Sequence, residues 1–435
     1  MNLKTLHMTN AWHEKSGGVG TFYRALIEAA NRHGRFVRLI VPGAKTGVEE
    51  AGRFGRIYTV KAPRAPFDPN YRLLMPHRFL FPRTEVHRIL NEERPDLVEI
   101  CDKYSLPYLG GLLRRGWLRK LPFRPVVAGL SCERLDHNLA AYFSSGPIAR
   151  TFSRFYMKWL YFPMFDHHIA VSEHVAGELL PASRGHAVQR AVYVSPMGVD
   201  CERFTPRRRS PEGRRRMMER VGTPGGAALL LYAGRLAREK NLPLLIDMME
   251  RLAARRDRDY RLVVAGTGGL RASLERECGR RIPGRTCFLG NVGDREALAS
   301  LYSNCDVFVH PNPREPFGIA PLEAMAAGLA LVGPRSGGLT SYANQDNSWL
   351  ADATGEGFAG AVRAALDQSE LGNRKLEAAR RTAEANSWAE VTSRYLRLYE
   401  EIHARWHGRR LDWSQQPSFY STPGDWLGAE VGGSN

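Results

Sequence analysis

Short apolar runs alternate with amphipathic stretches along most of the chain, and the alternation stops once, in an arginine-rich junction, before it starts again. In the first half the strand-like runs are 3–8, 36–41, 96–100, 126–130 and 168–171, with helical stretches such as 21–33, 84–93 and 106–114 between them. Apolar strands that each hand over to a helix predict parallel sheets with right-handed crossovers, because a crossing helix returns the chain to the same end of the sheet. Residues 196–222 interrupt the pattern with Ser195-Pro196-Met197-Gly198-Val199-Asp200, then Arg207-Arg208-Arg209 and Arg214-Arg215-Arg216. It resumes with strands at 228–233, 261–265, 286–289, 307–310 and 330–332. The expectation is an α/β protein of two doubly wound parallel-sheet domains, 1–195 and 196–386, with a cleft between them at the carboxyl ends of both sheets, where ligands bind.

Trp388, Val391, Tyr395, Leu398, Tyr399 and Ile402 recur at helical spacing, so 387–408 reads as one long, one-sided helix that packs back on the N-terminal domain. Residues 409–435 are weakly patterned and read as an irregular tail. No window is long and apolar enough for a spanning helix, and the first residues lack the apolar run of a signal peptide. Six cysteines without a CxxC pair predict a reduced, cytoplasmic protein and exclude a disulfide scaffold. Charge is the unusual quantity. Lys and Arg exceed Asp and Glu by 62 to 45, and residues 1–195 hold 28 of those bases against 16 acids. A basic first half implies an anionic partner: nucleic acid, an anionic membrane surface or a phosphorylated substrate.

Three loops carry candidate chemistry. Gly17-Gly18-Val19-Gly20 follows the first strand and opens a helix at Thr21. Closely spaced glycines there either let a phosphate approach a helix N-terminus or simply make a tight turn. Gly234-Arg235-Leu236-Ala237-Arg238-Glu239-Lys240-Asn241 leaves a strand and leads to a helix starting near Asn241. Arg235 offers a fork and Lys240 a point charge to a pyrophosphate. Pro311-Asn312-Pro313-Arg314-Glu315-Pro316-Phe317-Gly318-Ile319 then leads into a helix carrying Glu323. Gly318 and Ile319 present backbone N–H groups to an anion, Glu315 stands on the loop, and Glu323 can accept two hydroxyl hydrogen bonds from a ribose. Asp257-Arg258-Asp259 has the form of a metal-binding D-x-D but lies among arginines at a helix end and reads as surface; no metal site is expected.

These three loops in this order resemble the retaining GT-B glycosyltransferases, and best of all family 4 (GT4), which includes lipid and polysaccharide mannosyl- and glucosyltransferases. Supporting segments are Val171-Ser172-Glu173, Pro196 to Asp200 with Phe204, Ala265-Gly266-Thr267-Gly268 and the closing Trp388 helix, so the likeness spans about residues 1–405. The resemblance implies two Rossmann-like domains, with the acceptor held by the first and a nucleoside-diphosphate sugar of UDP or GDP type by the second. It implies that Arg235 and Lys240 bind the donor diphosphate, that Glu315 contacts the transferred sugar, and that Glu323 holds the ribose. Backbone amides around Phe317, Gly318 and Ile319 would cap phosphate or sugar. Gly18 and Gly266 would approach the donor, and the segment ending at Val292 would seat the nucleobase edge. No cofactor beyond the sugar nucleotide is implied.

One position departs from the family. Where many members carry a His after the strand 126–130, this chain reads Ser131-Cys132-Glu133-Arg134-Leu135-Asp136-His137, which leaves Glu133, Asp136 or His137 for the acceptor side. Residues 148–165 mix Arg150, Arg154 and Lys158 with Phe152, Phe155, Tyr156, Trp159, Tyr161 and Phe162. This is either a basic-aromatic helix for an anionic interface or a core helix whose bases snorkel outward, and the core reading is favoured. The function expected is hexosyl transfer, of mannose or glucose type, to a hydroxyl of a lipid-linked or saccharide cell-envelope acceptor, by a cytoplasmic protein attached to the inner face of the membrane. Nucleic acid is not an expected partner. The rivals are a GT-B relative of another reaction type, an epimerase or phosphorylase, and a non-catalytic polyanion-binding protein.

Overall fold

The computed structural model describes residues 3–12, 17–65, 71–142, 147–185, 192–223, 226–367 and 369–408; the segment 409–435, read above as a tail, lies outside them. The chain divides into two compact units, one of Met1–Met197 with Ala389–Asn435 and one of Gly198–Trp388.

In the first unit, strands β1 (Lys4–Thr9), β2 (Phe36–Gly43), β3 (Gly47–Glu50), β4 (Gly55–Lys61), β5 (Leu97–Cys101), β6 (Val126–Ser131), β7 (His167–Ala170) and β8 (Val192–Val194) form one sheet in the order β3-β4-β2-β1-β5-β6-β7-β8. Seven of the eight strands run parallel. The exception corrects the all-parallel expectation: β3 pairs antiparallel with β4 at the edge, and all four of its residues are exposed. An exposed ribbon has no buried face to impose alternation, so it left no apolar pattern to read. The chain grows outward from β1 through β2 and β4, then restarts on the other side of β1 with β5. That reversal puts a switch point at the carboxyl ends of β1 and β5, where an open parallel sheet leaves a crevice. The helix after β1 runs Gly18–His33, three residues earlier than Thr21, so Gly18 supplies its first turn. Its end is set by Gly34, whose φ of 65° is the left-handed conformation glycine adopts without strain.

A polar knot sits in this otherwise apolar interior. Glu99 on β5 is completely buried and lies beside His7 on β1 in register. His7 Nδ1 is 3.0 Å from Glu99 Oε1, Tyr23 donates to the same oxygen at 2.9 Å, and Tyr399 donates to Oε2 at 2.6 Å. Tyr395 donates to the Ser195 carbonyl at 2.7 Å. Tyr395 and Tyr399 lie on the helix Trp388–Trp406, so this helix belongs to the core of the first unit although 190 residues of another unit precede it. Burial first, and Glu99 second, push the Tyr23 and Tyr399 hydroxyls well above their usual range, which keeps them as donors.

The helix Pro147–Phe155 continues through a π turn, Tyr156–Tyr161, and a short 3-10 turn, Phe162–Met164. Ser153, Met157, Tyr161, Phe162 and Phe165 are buried, as a core helix requires, but Phe152, Phe155 and Trp159 are exposed. The favoured core reading is therefore right for one face only. Aromatics occur on both faces of this segment, and a helix against a sheet can bury only one.

The second unit is an all-parallel sheet of β9 (Ala228–Ala233), β10 (Tyr260–Ala265), β11 (Thr286–Gly290), β12 (Val307–Val309), β13 (Ala330–Pro334) and β14 (Trp349–Ala351), ordered β11-β10-β9-β12-β13-β14. The helices Pro243–Arg255 and Gly355–Leu366 close a core with the sheet around Leu230, Leu245, Met249, Val264, Val309 and Phe358. Its switch point lies between β9 and β12. Val199 and Ser387 pair where the chain enters and leaves this unit.

Tyr399→Phe leaves a buried carboxylate oxygen without its donor, which costs about 1–3 kcal/mol. Urea unfolding of the full chain should show a transition at lower denaturant than wild type; an unchanged midpoint contradicts the role given to this knot.

Candidate active site

The loops after β9 and β12 are neighbours because their strands are, although 75 residues separate Lys240 from Glu315. The first runs from Gly234 through a 3-10 turn, Arg238–Lys240, to Asn241, whose φ of 52° reverses the chain; the helix itself begins at Pro243, later than expected, with proline where no N–H is needed. Asn241 donates to the Pro311 carbonyl at 3.0 Å and ties this loop to the one after β12. Across that tie Lys240 Nζ lies 2.7 and 3.0 Å from the two oxygens of Glu315. Asn312 donates to Glu315 Oε2 at 2.9 Å, and His310 Nε2 stands 3.7 Å from the same atom.

Burial alone would push the Glu315 carboxyl up, but the charge of Lys240, the His310 ring and hydrogen bonds from Lys240 and Asn312 outweigh it and hold the group down at about 2. His310 is also pushed down, to about 4, by burial, with Glu315 opposing and Lys240 adding to the shift. At neutral pH the cluster is one lysine cation, one carboxylate and one neutral imidazole. A lysine ammonium has three N–H donors, and the two aimed at Glu315 leave one for an incoming anion.

Gly318 begins the next helix, Ile319–Ala326, with φ of 88°. A side chain here would need that left-handed conformation, and its Cβ would lie 3.3 Å from Glu315 Cγ and 3.2 Å from the Tyr342 hydroxyl. Tyr342 donates to the Gly318 carbonyl, and its ring stands 5.0 Å from that of Phe317. Phe317 is buried and Ile319 half-buried at the helix start. Glu323, one turn further on, is buried; Arg295 lies 3.6 Å from its Oε1. Burial pushes the Glu323 carboxyl up to about 7 against the pull of Arg295 and the Tyr302 hydroxyl. Burial first, then Glu315 and Glu323, push the Tyr342 hydroxyl well above its usual range.

The glycine loops close the other side. Gly234 N–H donates to Ala265, Leu236 N–H to Thr267 at 2.9 Å and Gly266 N–H to Gly290 at 2.7 Å, which links the loops after β9, β10 and β11. A Cβ on Gly266 would stand 1.9 Å from the Gly234 carbonyl oxygen, so the glycine is required by loop packing alone. Val292 is half-buried in the loop beyond β11. Arg235 lies on the exposed part of its loop, 3.0 Å from Glu239. Asp259 is held by Arg261 at 2.9 Å and Arg285 at 3.1 Å, so the D-x-D is engaged by arginines. The sequence reading missed Asn312, His310, Arg295 and Tyr342. The first two flank the loop's start, and their polarity at a strand's carboxyl end was the available signal.

In the first unit, Gly18 sits at the N-terminus of its helix and Glu133, Asp136 and His137 follow β6. Asp136 is spent on Arg134, at 3.0 and 2.6 Å; burial pushes its carboxyl up but Arg134 pulls it down to about 2. The His137 ring stands 5.0 Å from that of His174. Glu133 accepts from Asn138 at 2.8 Å, and burial raises its carboxyl. The residue overlooked here is Lys103. It is buried, with Nζ 2.5 Å from Glu178 Oε2 and from the Glu133 carbonyl, and so fixes the loop on which Glu133 stands. Cys101 and Cys132, far apart in sequence, bring their sulfurs to 3.5 Å at the ends of β5 and β6.

Two family models account for the two halves: Glycosyltransferase Family 4 matches residues 16–203, and Glycosyl transferases group 1 matches 213–382. A GDP-mannose-dependent alpha-(1-6)-phosphatidylinositol dimannoside mannosyltransferase of Mycobacterium tuberculosis is 32% identical over 406 residues, 91% of this chain and 95% of its own length. The chain belongs to glycosyltransferase family 4. A GDP-mannose-dependent alpha-mannosyltransferase of Corynebacterium glutamicum is 27% identical over 89% of this family 4 chain and 86% of its own. Among solved structures, the sucrose-phosphate synthase of Thermosynechococcus elongatus aligns with a TM-score of 0.69 at 18% identity, over 92% of this chain and all of that one. HepE of Anabaena, in complex with UDP and glucose, aligns at 0.63 and 16% identity over 92% of this chain and 99% of its own. These likenesses make the fold GT-B and the protein a glycosyltransferase.

Glu323 carries a stability consequence independent of any ligand. A carboxyl raised from 4.5 to about 7 by folding favours the native state while protonated, and that contribution is lost as pH rises from 4.5 through 7. Glu323→Gln should match wild type near pH 4.5 and exceed it at pH 8 by on the order of 2–3 kcal/mol in urea unfolding. An equal pH dependence in both proteins contradicts the burial argument.

Proposed function

We propose that this glycosyltransferase moves mannose, with retention at the anomeric carbon, from GDP-mannose to a hydroxyl of a mannosylated phosphoinositide or a similar lipid-linked glycan. The observation that carries the reading is the Lys240–Glu315 pair at the β9/β12 switch point, next to the Gly318 helix start and Glu323. The donor and acceptor are taken from the printed activities of the relatives in Mycobacterium and Corynebacterium, which match this chain nearly end to end. The basic balance of residues 1–195 agrees with an anionic acceptor and with attachment to an anionic membrane face.

In this reading Arg235, Lys240 and the backbone N–H groups at Gly318 and Ile319 receive the diphosphate, and Glu323 accepts from the ribose hydroxyls. Phe317 closes the apolar side of the pocket, while Gly266 and Val292 border the donor. Charge grows on the β-phosphate as the bond from the anomeric carbon to the phosphate oxygen breaks, and Lys240 with the helix N-terminus stabilises it there. The acceptor oxygen forms the new bond from the same face, and its proton passes to the leaving phosphate oxygen. Glu315 orients sugar hydroxyls. A carboxylate held at about 2 by a lysine is a poor nucleophile and a poor base, so no covalent step is assigned to it. On the acceptor side, Glu133 on its Lys103-anchored loop is the better candidate, since Asp136 is committed to Arg134.

The test is transfer from radiolabelled GDP-mannose and UDP-glucose to phosphatidylinositol mannosides by the full chain. GDP-mannose should be the better donor and the new linkage α. Lys240→Ala and Glu315→Ala should each lose about 10²–10³ in kcat/KM while remaining folded. Variants that retain turnover overturn the site, a β linkage overturns retention, and donor consumed as an epimer without transfer overturns the reaction.

A further inference from the structure

The segment from Pro147 to Tyr161 shows a second apolar face turned away from the protein. Ile148 is 85% exposed, Phe152 and Phe155 are 55% exposed and Trp159 57%. The first three, at spacings of four and three, form one stripe along the helix, opposite the buried Ser153 and Met157. The inner face is bolted down: Tyr156 donates to the Lys103 carbonyl at 2.6 Å, and Tyr161 shares a hydrogen bond with Ser131 at 3.1 Å. The outer stripe is thus held rigidly in the open, where a few large apolar side chains in a row are an unusual feature of a water-facing surface.

Charge says what covers it. No Asp or Glu occurs between Asp136 and Asp166, whereas Arg150, Arg154 and Lys158 do. Arg150 and Arg154 are exposed, and Lys158 Nζ sits 5.2 Å over the Trp159 ring. The preceding stretch of this unit, 103–132, likewise contains no acid and six bases, with Trp117 exposed among them. A second copy of a chain with net charge +17 would bring the same bases face to face with themselves. An anionic bilayer complements them: aromatic rings settle at the headgroup level and each nearby base is attracted to the surface.

We propose that Ile148, Phe152, Phe155 and Trp159, flanked by Arg150, Arg154 and Lys158, form the surface by which this protein docks on an anionic lipid bilayer. The helix lies in the interface plane, with the stripe in the acyl boundary and the bases among phosphates. This assignment deepens the lipid-linked acceptor reading and rests on it, since docking brings the first unit to the plane where such acceptors reside.

Vesicle flotation of the full chain tests it, with vesicles of phosphatidylcholine alone and of equimolar phosphatidylcholine and phosphatidylglycerol. Wild type should float only with the anionic vesicles, less so at high salt. Phe152→Ser/Phe155→Ser/Trp159→Ser and Arg150→Glu/Arg154→Glu/Lys158→Glu should each bind at least tenfold more weakly, with unchanged circular dichroism because the side chains are exposed. Wild type that ignores anionic vesicles, or variants that bind them equally, overturns the proposal. So does a wild-type dimer in sedimentation that the Ser variant dissociates, which gives the stripe to a second copy. Turnover of soluble GDP-mannose is read in parallel: its absence in a protein that still floats counts against the transferase reading alone, and its persistence in variants that do not float keeps the two claims separate.

Discussion

A carboxylate at the dry end of a parallel sheet stays ionised only if a cation stands against it, and in the second unit that cation arrives from a different loop. Lys240 and Glu315 touch because β9 and β12 are adjacent, and β9 and β12 are adjacent because the chain reverses its direction of growth between them. Sheet topology therefore sets the electrostatics of the site before any ligand is considered. The pair keeps Glu315 ionised despite burial, while Glu323, whose arginine stands 3.6 Å away, is pushed up to about 7. Two acids eight positions apart in sequence thus have different chemistry: one is fixed as an acceptor, the other titrates near neutrality.

The first unit uses its polar groups differently. Glu99 joins β1, β5, the helix after β1 and the helix Trp388–Trp406 through hydrogen bonds in a fully buried setting, so the far end of the sequence becomes part of the N-terminal core. Lys103 does similar work at the carboxyl end of β5, where it clamps the Glu133 loop and pairs with Glu178. Lys103 and Glu178 form an interior pair, whereas Glu99 is held by hydrogen bonds alone; both leave the buried polar atoms with partners. The outer helix face at Phe152, Phe155 and Trp159 is the contrary case, an apolar surface left without cover.

The alternation of apolar runs and amphipathic stretches was enough to read two α/β halves and most strand positions, because buried parallel strands have no solvated face to blur the pattern. The β3 edge was illegible for the complementary reason: Gly47, Val48, Glu49 and Glu50 are all exposed, and nothing in their order records a pairing. At the site, the residues on single loops were legible from local spacing, as with Lys240, Glu315, Gly318 and Glu323. Their partners were not, because Arg295 and Tyr342 reach the cluster only through tertiary packing. For 148–165 the sequence held both answers, an inner and an outer aromatic face, and only the fold tells which side is covered.

Transfer from a sugar nucleotide requires that the β9/β12 switch point receive a nucleoside diphosphate. Isothermal titration of wild type and Lys240→Ala with GDP, UDP, ADP, TDP and CDP asks this without any acceptor. GDP should bind wild type most tightly, and Lys240→Ala should bind it at least tenfold more weakly, a loss of about 1.4 kcal/mol or more. No heat with any nucleotide, or equal affinity in the two proteins, would contradict the donor site described here.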